Sequence, residues 1–273
     1  MKTLYVSDLD GTLLGPDART SAFANETLNR LMAQGLIFSY ATARSLVTAG
    51  RVTAGLRMAQ PVILYNGALI QDPRTGERLD TCLFSREEVD PIRRDLSASG
   101  ILPMVYAFVD GRETFSVLEE RSSPGVRAFL STRKDDPRLR IVESEDALYA
   151  GEIFYFTCIG DPGIAASYGR LKDDFHCVHQ VDIYDHLPWL EIMPRQATKA
   201  RAALKLKALL GCGRMVAFGD GPNDLELFAA ADEACAVENA APELKALAAK
   251  VIGSNRDDGV PRWLAAHAAS EKC

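Results

Sequence analysis

The chain has 273 residues, of which 47% are hydrophobic and 25% are charged, and its formal net charge is −6. This length suits one large domain or two modest ones with a sizeable core. No basic stripe and no membrane-length apolar run is visible, which argues against a nucleic acid or a membrane as partner. The six cysteines form no CxxC pair, a pattern that favours reduced thiols and predicts a cytoplasmic protein.

The first third of the chain alternates short apolar runs with helical patterns. Strands are predicted at 4–6, 36–41 and 61–65, and helices at 25–34 and 45–56. This order at these lengths indicates parallel strands joined by right-handed crossovers. Ligands bind beyond the carboxyl ends of the strands in such sheets. Asp8, Asp10, Thr42 and Asn66 all follow predicted strand ends.

The middle of the chain has a different pattern, of α+β type. Asp110 and Gly111 separate two alternating runs and are a strong hairpin signal. Helices are predicted at 85–96, 124–132 and 165–173, and strands at 105–109, 114–118, 139–142, 152–159 and 177–184. A turn is expected at 72–76 and a solvated acidic loop at 143–146. We expect residues 83–193 to form an inserted domain, and residues 1–82 and 194–273 to form the α/β domain that receives it.

The strand–helix alternation returns after Pro194. Helices are predicted at 198–210, 225–230, 244–249 and 260–269, and strands at 214–218, 234–237 and 251–252. The strand at 214–218 runs into Gly-Asp-Gly-Pro-Asn-Asp, which holds Asp220 and Asp224. If both halves of the chain form one sheet, Asp220 approaches Asp8 and Asp10 from a neighbouring strand end.

The pair Asp8 and Asp10 has three interpretations on its own. It fits an Asp-Gly hairpin turn, or the start of a calcium loop whose later acidic positions and closing Glu are missing. It also fits a cation site, because residues two apart on a strand point to the same side and two close carboxylates repel each other. With Asp220 as a third acidic group, a hard cation is favoured, and Mg²⁺ fits best.

The ordered motifs of this chain resemble those of the haloacid dehalogenase-like phosphohydrolases. They are Asp-Leu-Asp-Gly-Thr-Leu-Leu at 8–14, Thr42, Lys199 and Gly-Asp-Gly-Pro-Asn-Asp at 219–224. Tyr-Asn-Gly-Ala at 65–68, Leu-Glu-Ile-Met-Pro at 190–194 and the insertion between Thr42 and Lys199 are similar to the Cof-type branch of that family. The resemblance covers nearly the whole chain. It implies a Rossmann-like parallel-sheet core with an inserted α+β cap of the C2 type, and a Mg²⁺-dependent phosphatase.

The resemblance also implies catalytic and metal-binding roles. Asp8 would be the nucleophile that attacks phosphorus and forms an aspartyl-phosphate. Asp10 would protonate the leaving alcohol and then deprotonate the attacking water, while its backbone carbonyl binds the metal. Asp8 and Asp220 would supply carboxylate ligands to Mg²⁺, and Asp224 would lie next to these ligands without binding the ion itself.

Further residues are implied as contacts for the phosphoryl group and the rest of the substrate. Thr42, Lys199, Asn223 and the backbone N–H groups near Leu9 and Ala43 would hold the phosphoryl oxygens, and Arg44 and Asn66 would meet the substrate or the cap. Ala43 departs from the family, which usually has glycine there. A requirement for positive φ at this position would strain alanine.

Three functional hypotheses follow. The first is a Mg²⁺-dependent phosphatase acting on a small phosphorylated metabolite; hexose phosphates, nucleotides, flavin mononucleotide and pyridoxal phosphate are all open. The second is phosphoryl transfer to another sugar hydroxyl, as in related mutases. The third is a non-catalytic sensor, which Asp10 disfavours because a binding site gains little from a positioned acid/base. His176 and His179 are not expected to bind a metal, because residues three apart on a strand face opposite sides.

Overall fold

The computed structural model describes residues 1–181 and 186–267 of the chain. The chain divides into two compact units, here called the core unit (Met1–Thr81 and Ala197–Cys273) and the inserted unit (Cys82–Gln196). The predicted strand at 177–184 and the predicted helix at 260–269 run partly outside the described residues. Each unit is built from its own sheets and helices.

The core unit begins with a strand–helix–strand–helix–strand segment, as predicted. Its elements are β1 (Thr3–Ser7), α1 (Ala22–Ala33), β2 (Ile37–Tyr40), α2 (Leu46–Val52) and β3 (Val62–Leu64). The side chains of Ser21 and Ser45 accept hydrogen bonds from the first turns of α1 and α2, which explains where these helices begin. Two further strands, β4 (Leu69–Gln71) and β5 (Arg78–Thr81), were not predicted. They form an antiparallel sheet in the order β3-β4-β5.

The inserted unit is an antiparallel-rich α+β structure. Its elements are α3 (Arg86–Ala98), β6 (Met104–Val109), β7 (Arg112–Val117), α4 (Pro124–Ser131), β8 (Leu139–Ile141), α5 (Glu145–Leu148), β9 (Glu152–Ile159), α6 (Ile164–Leu171), β10 (His176–Val181) and β11 (Pro188–Met193). They build a six-stranded sheet in the order β10-β11-β9-β6-β7-β8. The predicted hairpin is confirmed, because β6 and β7 pair in antiparallel and are joined by a turn at Asp110 and Gly111, both of which have positive φ.

The structure of the inserted unit differs from the sequence predictions at two places. The acidic run at 143–146 is not a loop throughout, because Ser144 accepts a hydrogen bond from the Ala147 N–H and starts α5 at Glu145. Strand β11 was not predicted, although it pairs with both β9 and β10. It begins with Pro188, a residue that a strand tolerates at its first position.

The second half of the core unit completes a parallel sheet. Its elements are α7 (Lys199–Leu209), β12 (Arg214–Gly219), α8 (Leu225–Ala230), β13 (Glu233–Val237), α9 (Pro242–Leu247), β14 (Lys250–Ile252) and α10 (Gly259–His267). Five strands pair in parallel in the order β14-β13-β12-β1-β2. The predicted α/β class with a parallel core sheet is confirmed.

Strand β1 lies inside this sheet, between β12 and β2. Its residues Leu4 and Val6 are completely buried and Tyr5 nearly so, as expected for a parallel strand covered on both faces. Ser7, the last residue of β1, is paired with Phe218, so β1 and β12 end within one residue of each other. The residues that follow these two strands therefore meet at one edge of the sheet. None of the helices in residues 1–181 and 186–267 has the length and apolar character needed to cross a bilayer.

Candidate active site

Asp8 lies at the carboxyl edge of the core sheet, directly after β1. Its N–H donates to the carbonyl of Phe218 on β12 at 2.9 Å, which continues the sheet by one residue. The Asp8 side chain is buried. Its Oδ1 accepts a hydrogen bond of 2.6 Å from Lys199 Nζ. A carboxylate from the first strand and a lysine from a distant helix are thus held in direct contact.

Lys199 is the first residue of α7 and is almost completely buried. Its ammonium group also donates to Asp224 Oδ1 at 2.8 Å, so it bridges two buried carboxylates. Burial lowers the pKa of Lys199, but Asp224 and Asp8 raise it more, and the pKa lies above its ordinary value. The start of α7 approaches Gly67 so closely that a Cβ there would lie 2.1 Å from the Thr198 carbonyl. Gly67 therefore permits the approach that buries the lysine.

Asp220 and Asp224 follow β12 and complete a cluster of three carboxylates. Asp8, Asp220 and Asp224 each offer an oxygen within 4.8 Å of the others. Thr12 Oγ1 donates to Asp220 Oδ1 at 2.7 Å. Asp224 Oδ2 accepts from the N–H groups of Asp220 and Gly221 at 3.2 and 3.3 Å. Both carboxylates therefore have fixed orientations.

The electrostatics of this cluster favour a bound cation. Burial raises the pKa of Asp8 well above its ordinary value, and nearby carboxylates raise it further against the opposing effect of Lys199. Burial likewise raises the pKa of Asp220 to about 6. A single ammonium group thus leaves the three carboxylates under-neutralised. The donor set, oxygen ligands only, fits a hard divalent cation. Within the described residues, no other group of His, Cys, Asp and Glu side chains converges in this way.

Asp10 does not join this cluster through its side chain. The strand alternation expected for Asp8 and Asp10 was wrong, because β1 ends at Ser7 and Asp10 already lies in a turn with φ −72° and ψ 120°. Its carboxylate forms a two-point ion pair with Arg44: Nε donates to Oδ2 at 2.8 Å and Nη2 to Oδ1 at 2.6 Å. The Asp10 side chain is 52% exposed. A pair this accessible to water opens at a cost of about 1 kcal/mol or less.

Thr42 and Asn66 lie just beyond the ends of β2 and β3, and both are buried. The Thr42 N–H donates to the Ile63 carbonyl at 3.0 Å, and the Thr42 carbonyl accepts from the Asn66 N–H at 2.9 Å. Ala43 is not among the described residues with positive φ, so alanine is unstrained in place of the usual glycine. Asn66 itself has φ 53°, a conformation that asparagine tolerates well. Asn223 is exposed on the turn Pro222–Asp224.

Several polar residues around this site were not predicted from the sequence. Thr12 lies inside the first motif, and Asn239, Ser254 and Asn255 lie beyond β13 and β14. Asn239 donates to the Gly11 carbonyl at 2.7 Å, and Asn255 donates to the Leu14 carbonyl at 2.8 Å. The rule that selected Thr42 and Asn66, a polar residue after a parallel strand, would also have selected Asn239 and Asn255.

The chain is similar to known proteins over nearly its whole length. The family model described as haloacid dehalogenase-like hydrolase matches residues 5–264. The chain is 28% identical to the 5-amino-6-(5-phospho-D-ribitylamino)uracil phosphatase YwtE of Bacillus subtilis over 97% of each chain. It is 25% identical to the HMP-PP phosphatase of Serratia proteamaculans, over 97% of this chain and 94% of that one.

The fold has close counterparts among solved structures. A haloacid dehalogenase-like hydrolase from Bacteroides thetaiotaomicron superposes with a TM-score of 0.77 at 22% identity, over 97% of this chain and 98% of that one. The chain belongs to the haloacid dehalogenase-like hydrolases, and the resemblance stated from its motifs is confirmed. It is an enzyme of the phosphatase class within that family.

Proposed function

We propose that the chain is a Mg²⁺-dependent phosphatase that hydrolyses small phosphorylated metabolites, sugar phosphates or similar phosphomonoesters, through an aspartyl-phosphate on Asp8. The observation that carries this proposal is the buried Asp8 carboxylate, held by Lys199 at 2.6 Å within a cluster of three carboxylates at the sheet edge. Relatives named for phosphatase activity on small phosphorylated compounds support the substrate class.

The reaction would consist of two displacements at phosphorus. Lys199 holds Oδ1 of Asp8, which leaves Oδ2 as the attacking oxygen. In the first step the Asp8 oxygen bonds to phosphorus, the ester P–O bond breaks, and Asp10 gives its proton to the departing alkoxide. In the second step Asp10 takes a proton from water, the water oxygen bonds to phosphorus, and the bond to Asp8 breaks. Inorganic phosphate leaves and Asp8 is restored.

Asp8 and Asp220, with the backbone carbonyl of Asp10, would hold the Mg²⁺ ion. When bound, the ion supplies positive charge against the phosphoryl oxygens. Asp224 would not bind the ion directly, because its two oxygens already accept hydrogen bonds from Lys199 and from the N–H groups of Asp220 and Gly221. Its role is to hold Lys199 in line with Asp8.

The remaining site residues would bind the phosphoryl group and admit the substrate. The hydroxyl of Thr42, the ammonium of Lys199, the amide of Asn223 and the N–H groups of Leu9 and Ala43 are the proposed phosphoryl contacts. Arg44 would leave Asp10 when the leaving group arrives, since their exposed ion pair is weak. Arg44 and Asn66 would then contact the substrate or the cap.

The domain roles are part of the same proposal. Residues 1–82 and 194–273 would carry the chemistry, and residues 83–193 would act as the cap that selects the leaving group. A cytoplasmic location fits the thiols of Cys158, Cys177, Cys212 and Cys235, which are free of disulfides.

The direct test is hydrolysis of p-nitrophenyl phosphate by the full chain, with Mg²⁺ and with a chelator. We expect phosphate release that requires the metal and needs no acceptor alcohol. Asp8→Asn should abolish release while leaving the circular dichroism spectrum unchanged. Release of p-nitrophenol without inorganic phosphate, and only in the presence of an acceptor sugar, would favour a phosphotransferase. Tight binding of phosphate without release of p-nitrophenol would favour a sensor.

A further inference from the structure

The loop from Asp8 to Leu14 has a conformation that fixes the direction of one peptide group. It is closed by the Leu14 N–H, which donates to the Leu9 carbonyl at 2.8 Å. Inside it, Asp10 has φ −72° and ψ 120°, and Gly11 has φ 79° and ψ −9°. These are the central dihedrals of a type II β-turn. A type I turn would differ by a flip of the peptide between Asp10 and Gly11, so the type II turn determines where the Asp10 carbonyl points.

Gly11 makes this turn possible but does not secure it. A side chain at position 11 would be strained at positive φ, and its Cβ would lie 2.3 Å from Asp220 Oδ2. Glycine is also the residue that most easily leaves such a conformation, because it populates both signs of φ. A contact from outside the loop is therefore needed to hold the turn.

Asn239 supplies such a contact from the end of β13. Its amide N–H donates to the Gly11 carbonyl at 2.7 Å. Its Oδ1 accepts from the Asn255 N–H at 3.0 Å and from Ser254 Oγ at 3.2 Å. Asn255 in turn donates through Nδ2 to the Leu14 carbonyl at 2.8 Å. The two asparagines thus hold carbonyl groups at two points of the loop and are tied to each other.

The same segment also holds the second acidic motif. Two residues beyond Asn239, the Ala241 N–H donates to the Asp220 carbonyl at 2.8 Å. The stretch after β13 therefore binds the backbone of both loops that carry the carboxylate cluster. Asn239 is itself exposed, so its hydrogen bonds compete with water and contribute little to the stability of the fold.

We propose that Asn239 is a positioning residue of the reaction, which acts by holding the Asp10–Gly11 turn in its type II form together with Asn255. This inference rests on the proposed function, because it assigns the turn a task in the chemistry of Asp8 and Asp10. Apart from any substrate, the inference states that the exposed amide of Asn239 holds the Gly11 carbonyl of this turn.

Two variants of Asn239 separate positioning from charge. Asn239→Asp is nearly isosteric and keeps the acceptor for Asn255 and Ser254, but it loses the donor to Gly11. Asn239→Ala removes donor and acceptor without adding charge. Glu238→Ala, at the preceding exposed position, is the matched control. Turnover of p-nitrophenyl phosphate with Mg²⁺ and hydrogen–deuterium exchange without Mg²⁺ are measured on each full-length protein.

We expect both Asn239 variants to lower kcat about tenfold while KM changes by about twofold or less, and the control to match the wild type. Amide exchange in the peptide spanning 9–14 should be faster in both Asn239 variants. Exchange in the rest of the chain should be unchanged, except near Asn239 and its partners Ser254 and Asn255. Unchanged kcat in Asn239→Ala, with or without faster exchange, would overturn the inference. So would a loss in Asn239→Asp alone, which would point to charge. A wild-type protein without turnover would overturn the proposed function, and the inference with it, so the two failures are distinguishable.

Discussion

Lys199 offers the sharpest test of how the site is held together, because one ammonium group bridges two buried carboxylates. Lys199→Met keeps most of the side-chain volume and removes the charge. It leaves Asp8 and Asp224 buried without the hydrogen bonds of 2.6 and 2.8 Å that they accept from Nζ. Removal of one partner from a buried ion pair typically costs about 3–5 kcal/mol. For a chain of this size that corresponds to a fall in Tm of roughly 10 °C.

The same helix supplies the control. Lys207 lies on α7 and pairs with Asp232 at 2.7 Å, but both side chains are accessible to solvent. Lys207→Met should therefore cost about 1 kcal/mol or less. Thermal unfolding of both variants, by circular dichroism at constant pH and ionic strength, measures the difference.

A second substitution identifies the cause of the loss. In Lys199→Met combined with Asp224→Asn, only one of the two carboxylates is left charged, so the double variant should be more stable than Lys199→Met alone. Mg²⁺ should also raise the Tm of Lys199→Met more than that of the wild type, since the ion would neutralise Asp8. Equal stability of the Lys199 and Lys207 variants, or no recovery in the double variant, would refute this reasoning.

Three further predictions concern single side chains. Asp10→Asn should slow the first step by about 10²- to 10⁴-fold for a sugar phosphate and less for p-nitrophenyl phosphate, whose leaving group needs no proton; equal losses in single-turnover assays would contradict the acid role. Thr12→Val removes the hydrogen bond to Asp220 and should weaken Mg²⁺ binding by about tenfold in calorimetry, whereas unchanged affinity would separate Thr12 from the metal site. Burial raises the pKa of the half-buried Asp161 to about 6, so the folded state loses stability as pH rises from about 4 to 6. Asp161→Asn should therefore raise the free energy of unfolding by about 1 kcal/mol at pH 8. If this increase in the free energy of unfolding does not shrink toward pH 4, ionisation of Asp161 is not its cause.

Much of the core unit could be predicted because its signals are local. Buried parallel strands have short apolar runs as their signal. Asp8, Thr42 and Asp220 were predicted to follow such strands, and the structure places them just beyond β1, β2 and β12. The hairpin at Asp110-Gly111 has an equally local origin. Strands β4 and β5 were missed because they are only three and four residues long, and because they form only as β4 pairs with β3 and β5 pairs with β4.

The electrostatic pairing of the site could not be predicted from local sequence. Lys199 shares one helix with Lys205 and Lys207, and nothing in the neighbouring sequence distinguishes the buried lysine from the two that solvent reaches. Its burial depends on Gly67, more than a hundred residues away in the chain. The Asp10–Arg44 pair is similarly non-local, because it depends on β1 ending at Ser7 and on the turn that follows. Only the order of the motifs distinguished Lys199 in the sequence, and nothing there connected Arg44 with Asp10.

The covalent intermediate on Asp8 is the central claim, and chemical trapping tests it most directly. The full-length protein is mixed with p-nitrophenyl phosphate and Mg²⁺, quenched during turnover, and treated with borohydride, which reduces an acyl phosphate to the alcohol. Peptide mass spectrometry should then find homoserine in place of aspartate at position 8, only when substrate is present and not in Asp8→Asn. Turnover without any reduced aspartate, or reduction at Asp10 or Asp220 instead, would contradict the account.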